Sequence, residues 1–183
     1  MLDGFAARIG AAGGGPVLDA GCGPGRVSGY LHEQGLEISG IDLSPAMVGV
    51  ARRSYPGLQF AVGTLQHLGV ADESLAGILA WYSIIHTPPA GLAEVFTEFG
   101  RALRPGGLLL VGIQVGTGIV RVTQSYGHDV GVDLQLARPE EVTAGLEDVG
   151  FSIVASLSRE AEGRERRPQA FVLARTAGER RPA

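Results

Sequence analysis

The sequence predicts an α/β protein: a doubly wound (Rossmann-like), mostly parallel seven-stranded sheet with a C-terminal antiparallel hairpin. Three observations predict it. Short apolar runs bounded by turn residues alternate with amphipathic stretches, the pattern of a parallel sheet covered on both faces. The first run, Val17 to Ala20, opens into a glycine-rich turn and then a helical stretch. The last two runs, Phe151 to Leu157 and Gln169 to Ala174, flank a charged turn and read as a hairpin.

In order, a short helical stretch around Leu2 to Ala12 precedes a first strand over Pro16 to Ala20. A helix over Arg26 to Gln34 leads to a second strand, Leu36 to Ile41, that ends at Asp42. Ser44-Pro45 opens the next helix with a capping side chain and a proline in the first turn, where its missing N–H costs nothing. Further strands fit Leu58 to Val62, Leu75 to Trp81 and Gly107 to Val115, with a helix from Pro89 to Leu103 between the last two. Arg104-Pro105-Gly106-Gly107 stops that helix, because proline cannot continue it and glycine accepts left-handed geometry. The stretch from Val115 to Ala137 reads as a polar, glycine-containing loop, followed by a helix from Pro139 to Val149. Residues 1–176 form one expected domain, and 177–183 an Arg-rich, frayed tail.

With 183 residues, 45% of them hydrophobic, the chain can bury a core without staples. Cys22 is the single cysteine, which excludes an internal disulfide and a cysteine zinc cluster and fits a reducing compartment, so cytoplasm is the expected location. No apolar run approaches a membrane span, and no secretory leader pattern opens the sequence. A net charge of -4 and a pI near 5.5 argue against nucleic acid as a partner. Arg159, Arg164, Arg166 and Arg167 alternate with Glu160, Glu162 and Glu165, as in a solvated hairpin tip. Every one of the 15 basic residues is arginine, which removes a lysine nucleophile or Schiff base from consideration.

The chemistry concentrates in Val17-Leu18-Asp19-Ala20-Gly21-Cys22-Gly23-Pro24-Gly25. Glycines at alternate positions let the backbone turn tightly and approach a ligand, and the helix that follows presents N–H groups to an anion. A dinucleotide fingerprint reads G-x-G-x-x-G; here the spacing is G-x-G-x-G, with Asp19 placed just ahead to meet a cationic amine. An amino-acid zwitterion suits both groups. Asp42, at the end of the second strand, is placed to accept hydrogen bonds from the two hydroxyls of a ribose, or alternatively to cap the next helix. Together these imply a ligand that joins an amino acid to a ribonucleoside. Cys22 sits inside the turn, where a small side chain fits, and is read as structural.

These residues, with Gly40-Ile41-Asp42-Leu43-Ser44-Pro45-Ala46-Met47 and Leu103-Arg104-Pro105-Gly106-Gly107, resemble the class I S-adenosylmethionine-dependent methyltransferases, in particular the small bacterial enzymes with a V-L-D-x-G-C-G-P-G motif. The resemblance covers about Val17 to Gln114 and implies S-adenosylmethionine as cofactor, with S-adenosylhomocysteine as product. It implies that Asp19 and the backbone of Gly21, Cys22, Gly23 and Gly25 hold the methionine part, that Asp42 holds the ribose, and that Leu43 and Met47 sandwich the adenine. Gly63, Thr64 and Leu65 would edge the adenine; Thr64 stands where the family commonly has an aspartate or asparagine. Ala80 and Trp81 would close the methionine side. The resemblance also implies N-terminal helices that cover the site and that this sequence lacks, so a loosely held cofactor is expected unless a second subunit roofs it.

A sulfonium donor is already activated, so methyl transfer needs alignment and exclusion of water, with a base only where the acceptor must lose a proton. Candidates for that base are His86 and His128; Tyr82, Tyr126 and Asp129 stand near them in sequence. The Asn-Pro-Pro-Tyr pattern of base and glutamine methyltransferases is absent, Trp81-Tyr82-Ser83-Ile84 standing in its place, and no metal constellation can be assembled. The expected acceptor is a small molecule with a hydroxyl or amine, the expected state a monomer or homodimer, with no metal, nucleic acid or membrane involved. Two other readings compete: a cofactor-binding module without catalysis, and a nicotinamide-dependent oxidoreductase, which the glycine spacing disfavours.

Overall fold

The computed structural model describes residues 1–125, 128–163 and 165–178; the side chains of 124, 125 and 128–130 are not described either. Its elements run α1 (Leu2–Ala11), β1 (Val17–Ala20), α2 (Arg26–Glu33), β2 (Ile38–Asp42), α3 (Pro45–Ser54), β3 (Gln59–Val62), β4 (Leu75–Trp81), α4 (Leu92–Ala102), β5 (Leu103–Gln114), β6 (Ile119–Ser125), β7 (His128–Gln135), α5 (Pro139–Asp148), β8 (Ser152–Arg159) and β9 (Gln169–Arg175). Seven strands form one sheet in the order β3-β2-β1-β4-β5-β9-β8. β1 to β5 pair parallel, and β9 enters antiparallel between β5 and β8. This is the predicted architecture, with the chain reversing direction across the sheet on either side of β1 and β4. That reversal opens a crevice at the carboxyl ends of β1, β2 and β4, the place where such sheets bind ligands.

Side-chain alternation sorts the core into two layers. Val17, Leu79, Leu108 and Leu110 face α1 and α2, where Phe5, Ile9 and Leu31 are buried. Leu18, Ala80, Leu109 and Val111 face the other way, against Phe96 and Phe99 of α4 and Leu146 of α5. Because β1 is buried on both faces, its residues read as an apolar run interrupted only by Asp19. Asp19 shares the parity of Val17, which turns its carboxyl toward α2.

A third cluster joins Cys22 to Val48, Ala51 and Phe60 and fixes α3 over β2 and β3. Gly40 is what allows the close approach: a Cβ there would stand 2.8 Å from both Cys22 Cβ and Phe60 Cδ1. Cys22 is anchored in the glycine turn and cannot swing aside. Gly40→Ala is therefore expected to cost about 1–3 kcal/mol, the usual range for overpacking, read as a lower urea midpoint at unchanged slope.

Two boundaries differ from the sequence reading by three residues or more. The helix expected from Pro89 begins as a 3-10 turn, Pro89–Gly91, closed by Gly91 N–H donating to the Pro88 carbonyl at 2.8 Å, and α4 proper starts at Leu92. Strand β5 begins at Leu103, not Gly107, with the register to β4 slipping between Leu75 and Gly77 to accommodate the Pro-Gly-Gly segment. The larger correction concerns the segment read as a loop: Ile119–Ser125 and His128–Gln135 pair antiparallel, β6 with β7, as a hairpin in a sheet of its own. Val120 lies opposite Leu134 and Val122 opposite Val132, a period of two that pairs apolar residues on one face. Strand β7 packs beside the 3-10 turn Ile84–His86 at the mouth of the crevice. Residues 179–183 of the expected tail, and Arg164 of the charged turn, lie outside the described residues. Among the described residues no helix is long and apolar enough to cross a membrane.

Candidate active site

The site is built on the turn from β1 into α2. Gly21, Gly23 and Gly25 all have left-handed φ values, 83°, 53° and 81°, a conformation glycine adopts without steric cost. The turn is tied to the end of β2: the N–H groups of Gly21 and Cys22 both donate to the Ile41 carbonyl at 2.8 Å, and Gly25 N–H donates to the Cys22 carbonyl at 3.0 Å. These donors are spent within the protein, so the turn offers a ligand its carbonyls, its shape and the first-turn N–H groups of α2, which have no carbonyl four residues back in the helix. Among the described residues the first-turn N–H groups of Arg26 and Val27 have no backbone acceptor, while the Ser28 N–H is turned to the Asp19 carboxylate beneath the turn. A Cβ on Gly23 would meet nothing within 4 Å, so the turn is open at that point.

Asp42 joins the glycine turn to α3. One carboxylate oxygen accepts from Gly23 N–H at 2.8 Å and the other from Ser44 N–H at 2.9 Å. Each oxygen keeps a further lone pair for a hydroxyl, and the carboxylate is held in one orientation by groups that cannot move independently. Ser44, not Asp42, caps α3, its Oγ accepting from Met47 N–H, so the capping alternative for Asp42 gives way to a carboxylate that braces the N–H of the cap residue. Beside it, Leu43 is 71% exposed and Met47 43%, an apolar pair turned to solvent next to a carboxylate. Gly63 N–H donates to the Asp42 carbonyl at 3.1 Å, placing the start of the next turn at the same edge. Thr64 is exposed there, while Leu65 packs part of its side chain into the core.

Asp19 lies beneath the turn. It is 1% exposed and accepts a 2.6 Å hydrogen bond from Ser28 Oγ on α2. Burial raises its pKa to about 7, with the Ser28 bond opposing and the Asp42 charge adding to the rise. An amine expected to meet Asp19 reaches it only past the glycine turn. Ser28 itself gives no signal in sequence beyond lying in the first turn of a helix. Burial, helped by Asp19 and Asp42, pushes the Cys22 thiol up to about 12, which leaves it protonated and unfit as a nucleophile.

At the end of β4, Ala80 is fully buried toward α4, and Trp81 turns the other way to stack on Phe171 at 4.9 Å and 15°. Tyr82 meets Trp81 edge-on at 5.4 Å. Its phenol is pushed up to about 12, chiefly by burial, with Glu165 adding and Arg159 opposing, so it can donate a hydrogen bond but does not act as a base near neutrality. His86 ends the 3-10 turn that follows and stands exposed at the rim. Partial desolvation holds its imidazole below the ordinary value while the Asp42 carboxylate pulls in the opposite sense. Tyr126 lies outside the described residues. The side chains of His128 and Asp129 do too, although their backbones belong to β7.

The turn, the Asp42 carboxylate and the exposed apolar pair form one cradle at the edge of the sheet. Comparison with known proteins gives that cradle a family, for the methyltransferase domain family matches residues 17–107, about half of the chain. The chain belongs to the class I S-adenosylmethionine-dependent methyltransferases. Its cofactor is S-adenosylmethionine, and the residues present fit it: a carboxylate with lone pairs left for a diol, an exposed apolar pair beside it and a glycine turn open at Gly23. The chain is 34% identical over 107 residues to malonyl-[acyl-carrier protein] O-methyltransferase of Enterobacter lignolyticus, a match that covers 58% of this chain and 42% of that enzyme. It therefore spans less than half the length of that relative. Among solved structures it resembles a SAM-dependent methyltransferase from Methanosarcina mazei, with a TM-score of 0.80 at 20% identity over 91% of this chain and 94% of the other. It also resembles the [4+2]-cyclase SpnF, with a TM-score of 0.77 at 20% identity over 97% of this chain and 80% of the other. Likeness at that identity is likeness of fold.

Proposed function

We propose that this methyltransferase transfers a methyl group from S-adenosylmethionine to the hydroxyl or amine of a small-molecule acceptor by in-line displacement. When bound, the cofactor supplies a sulfonium-activated methyl. The observation that carries the reading is Asp42, whose two oxygens are fixed by Gly23 and Ser44 N–H groups beside exposed Leu43 and Met47. In this reading Asp42 holds the ribose diol, Leu43 and Met47 enclose the adenine, and Gly63, Thr64 and Leu65 border it. The amino-acid end then lies across the glycine turn toward Ala80 and Trp81. His86, at the rim, takes the acceptor's proton, with His128 on the facing hairpin as the second candidate. Residues 1–176 act as one unit. A net charge of -4 and the apolar pairs of the hairpin favour a small acceptor over nucleic acid.

Calorimetric titration with S-adenosylhomocysteine tests the reading. The parent chain is expected to bind one equivalent, and Asp42→Ala to weaken binding by about 1.5–3 kcal/mol, the scale of hydrogen bonds to a charged group. Equal affinity in the two proteins would remove the assigned role of Asp42. A second reading, binding without methyl transfer, gains support from the cyclase likeness, since one fold hosts unrelated reactions. Transfer of labelled methyl from the cofactor to any member of a hydroxyl and amine panel decides against it.

A further inference from the structure

The turn that leaves β4 carries two features unused by the cradle described above. Tyr82 has φ 58°, a left-handed conformation that strains a residue with a Cβ, and such strain persists where surrounding structure imposes it, often at functional sites. Ser83 follows. It is 6% exposed, and among the described residues its Oγ is buried without a hydrogen-bond partner. The side chain faces the glycine turn, for a Cβ built on Gly21 would stand 2.3 Å from Ser83 Cβ and 3.1 Å from Oγ. The hydroxyl therefore lies in the seam between the ends of β1 and β4.

A buried hydroxyl without a partner has lost its water and received nothing in return, and each such group in a native fold asks for an explanation. Packing does not supply one. Alanine would fill the same space against Gly21 and leave nothing unpaired. We propose that Ser83 is a cofactor-binding residue whose hydroxyl pairs with the amino-acid end of S-adenosylmethionine, donating to its carboxylate or accepting from its ammonium. The assignment to that end follows from sheet order and rests on the Asp42 reading of the ribose. Asp42 ends β2, Gly21 follows β1 and Ser83 follows β4, three neighbouring strand ends spaced about 4.8 Å apart. A ligand anchored by its ribose at Asp42 and lying across Gly21 brings its far, zwitterionic end to Ser83. One rotation about the Cα–Cβ bond re-aims the hydroxyl.

The test compares two nucleosides on parent and Ser83→Ala. S-adenosylhomocysteine has the amino-acid end; 5′-methylthioadenosine has the same adenosine and lacks it. The variant is expected to bind S-adenosylhomocysteine about ten- to a hundredfold more weakly and methylthioadenosine as the parent does. Without ligand, its melting temperature is expected to equal or exceed the parent's by about 2–4 °C, since an unpaired group has been removed. Loss of affinity for both nucleosides alike, or for neither, overturns the assignment and leaves the cofactor site standing. Failure of the parent to bind either nucleoside instead overturns the Asp42 reading on which it rests.

Discussion

At pH 8 and without ligand, Asp19→Asn is expected to melt well above the parent, and near pH 4 the two are expected to melt together. The sign follows from the carboxyl's surroundings. Asp19 is enclosed between β1 and α2, where burial outweighs the opposing bonds from the Ser28 hydroxyl and N–H, so its pKa rises from 3.8 to about 7 on folding. Below the lower value both folded and unfolded chains hold the proton, and the buried neutral acid with its Ser28 bond contributes in full. As pH climbs from there to about 7 the unfolded chain gives up its proton first, and stability is lost at up to about 1.36 kcal/mol per pH unit. Above about 7 the loss is complete, at most about 4 kcal/mol. Asparagine keeps the shape of the protonated acid at every pH and avoids that loss. Thermal melts of both proteins from pH 4 to pH 9 give the answer: parallel curves would mean that Asp19 does not carry the burial cost assigned to it.

The second large effect concerns rate. His86→Gln is expected to lower methyl transfer at saturating cofactor by about a hundredfold or more, the range of a general base, while leaving the affinity for S-adenosylhomocysteine unchanged. Desolvation keeps the imidazole below its usual pKa, with Asp42 opposing, so the neutral form that can accept a proton already prevails at neutral pH. The parent's rate is expected to rise with pH along a limb below about 6.5 and then level, and the variant to lose that limb. A rate that falls with the limb intact would move the base elsewhere, with His128 the next residue to substitute.

Much of this site is legible in the sequence because it is local. A strand, an acid and alternating glycines lie within nine residues, and Asp42 is marked by ending the neighbouring strand. The parts that are not legible depend on partners far along the chain. Whether Gly21 and Cys22 offer their N–H groups to a ligand is settled by the Ile41 carbonyl, and Asp19 is sealed off by Ser28, neither of which a motif records. Ser83 and the strained Tyr82 leave no trace, since ordinary residues stand in an ordinary stretch. The hairpin did leave one. Val120 and Val122, then Val130, Val132 and Leu134, keep a period of two, but glycine, serine and threonine between them carry the look of a loop.

That hairpin is bonded to itself. Strand β6 pairs with β7 in a sheet apart from the main one, joined at its base through Val115 and Ala137. The seven-stranded sheet would keep its ladder if the hairpin were longer, shorter or differently faced, and the cofactor cradle at β1 and β2 would keep its geometry. Under the proposed function, with the acceptor lying against this hairpin, acceptor preference can drift over generations with little penalty in folding, one donor serving successive chemistries while the scaffold beneath stays the same.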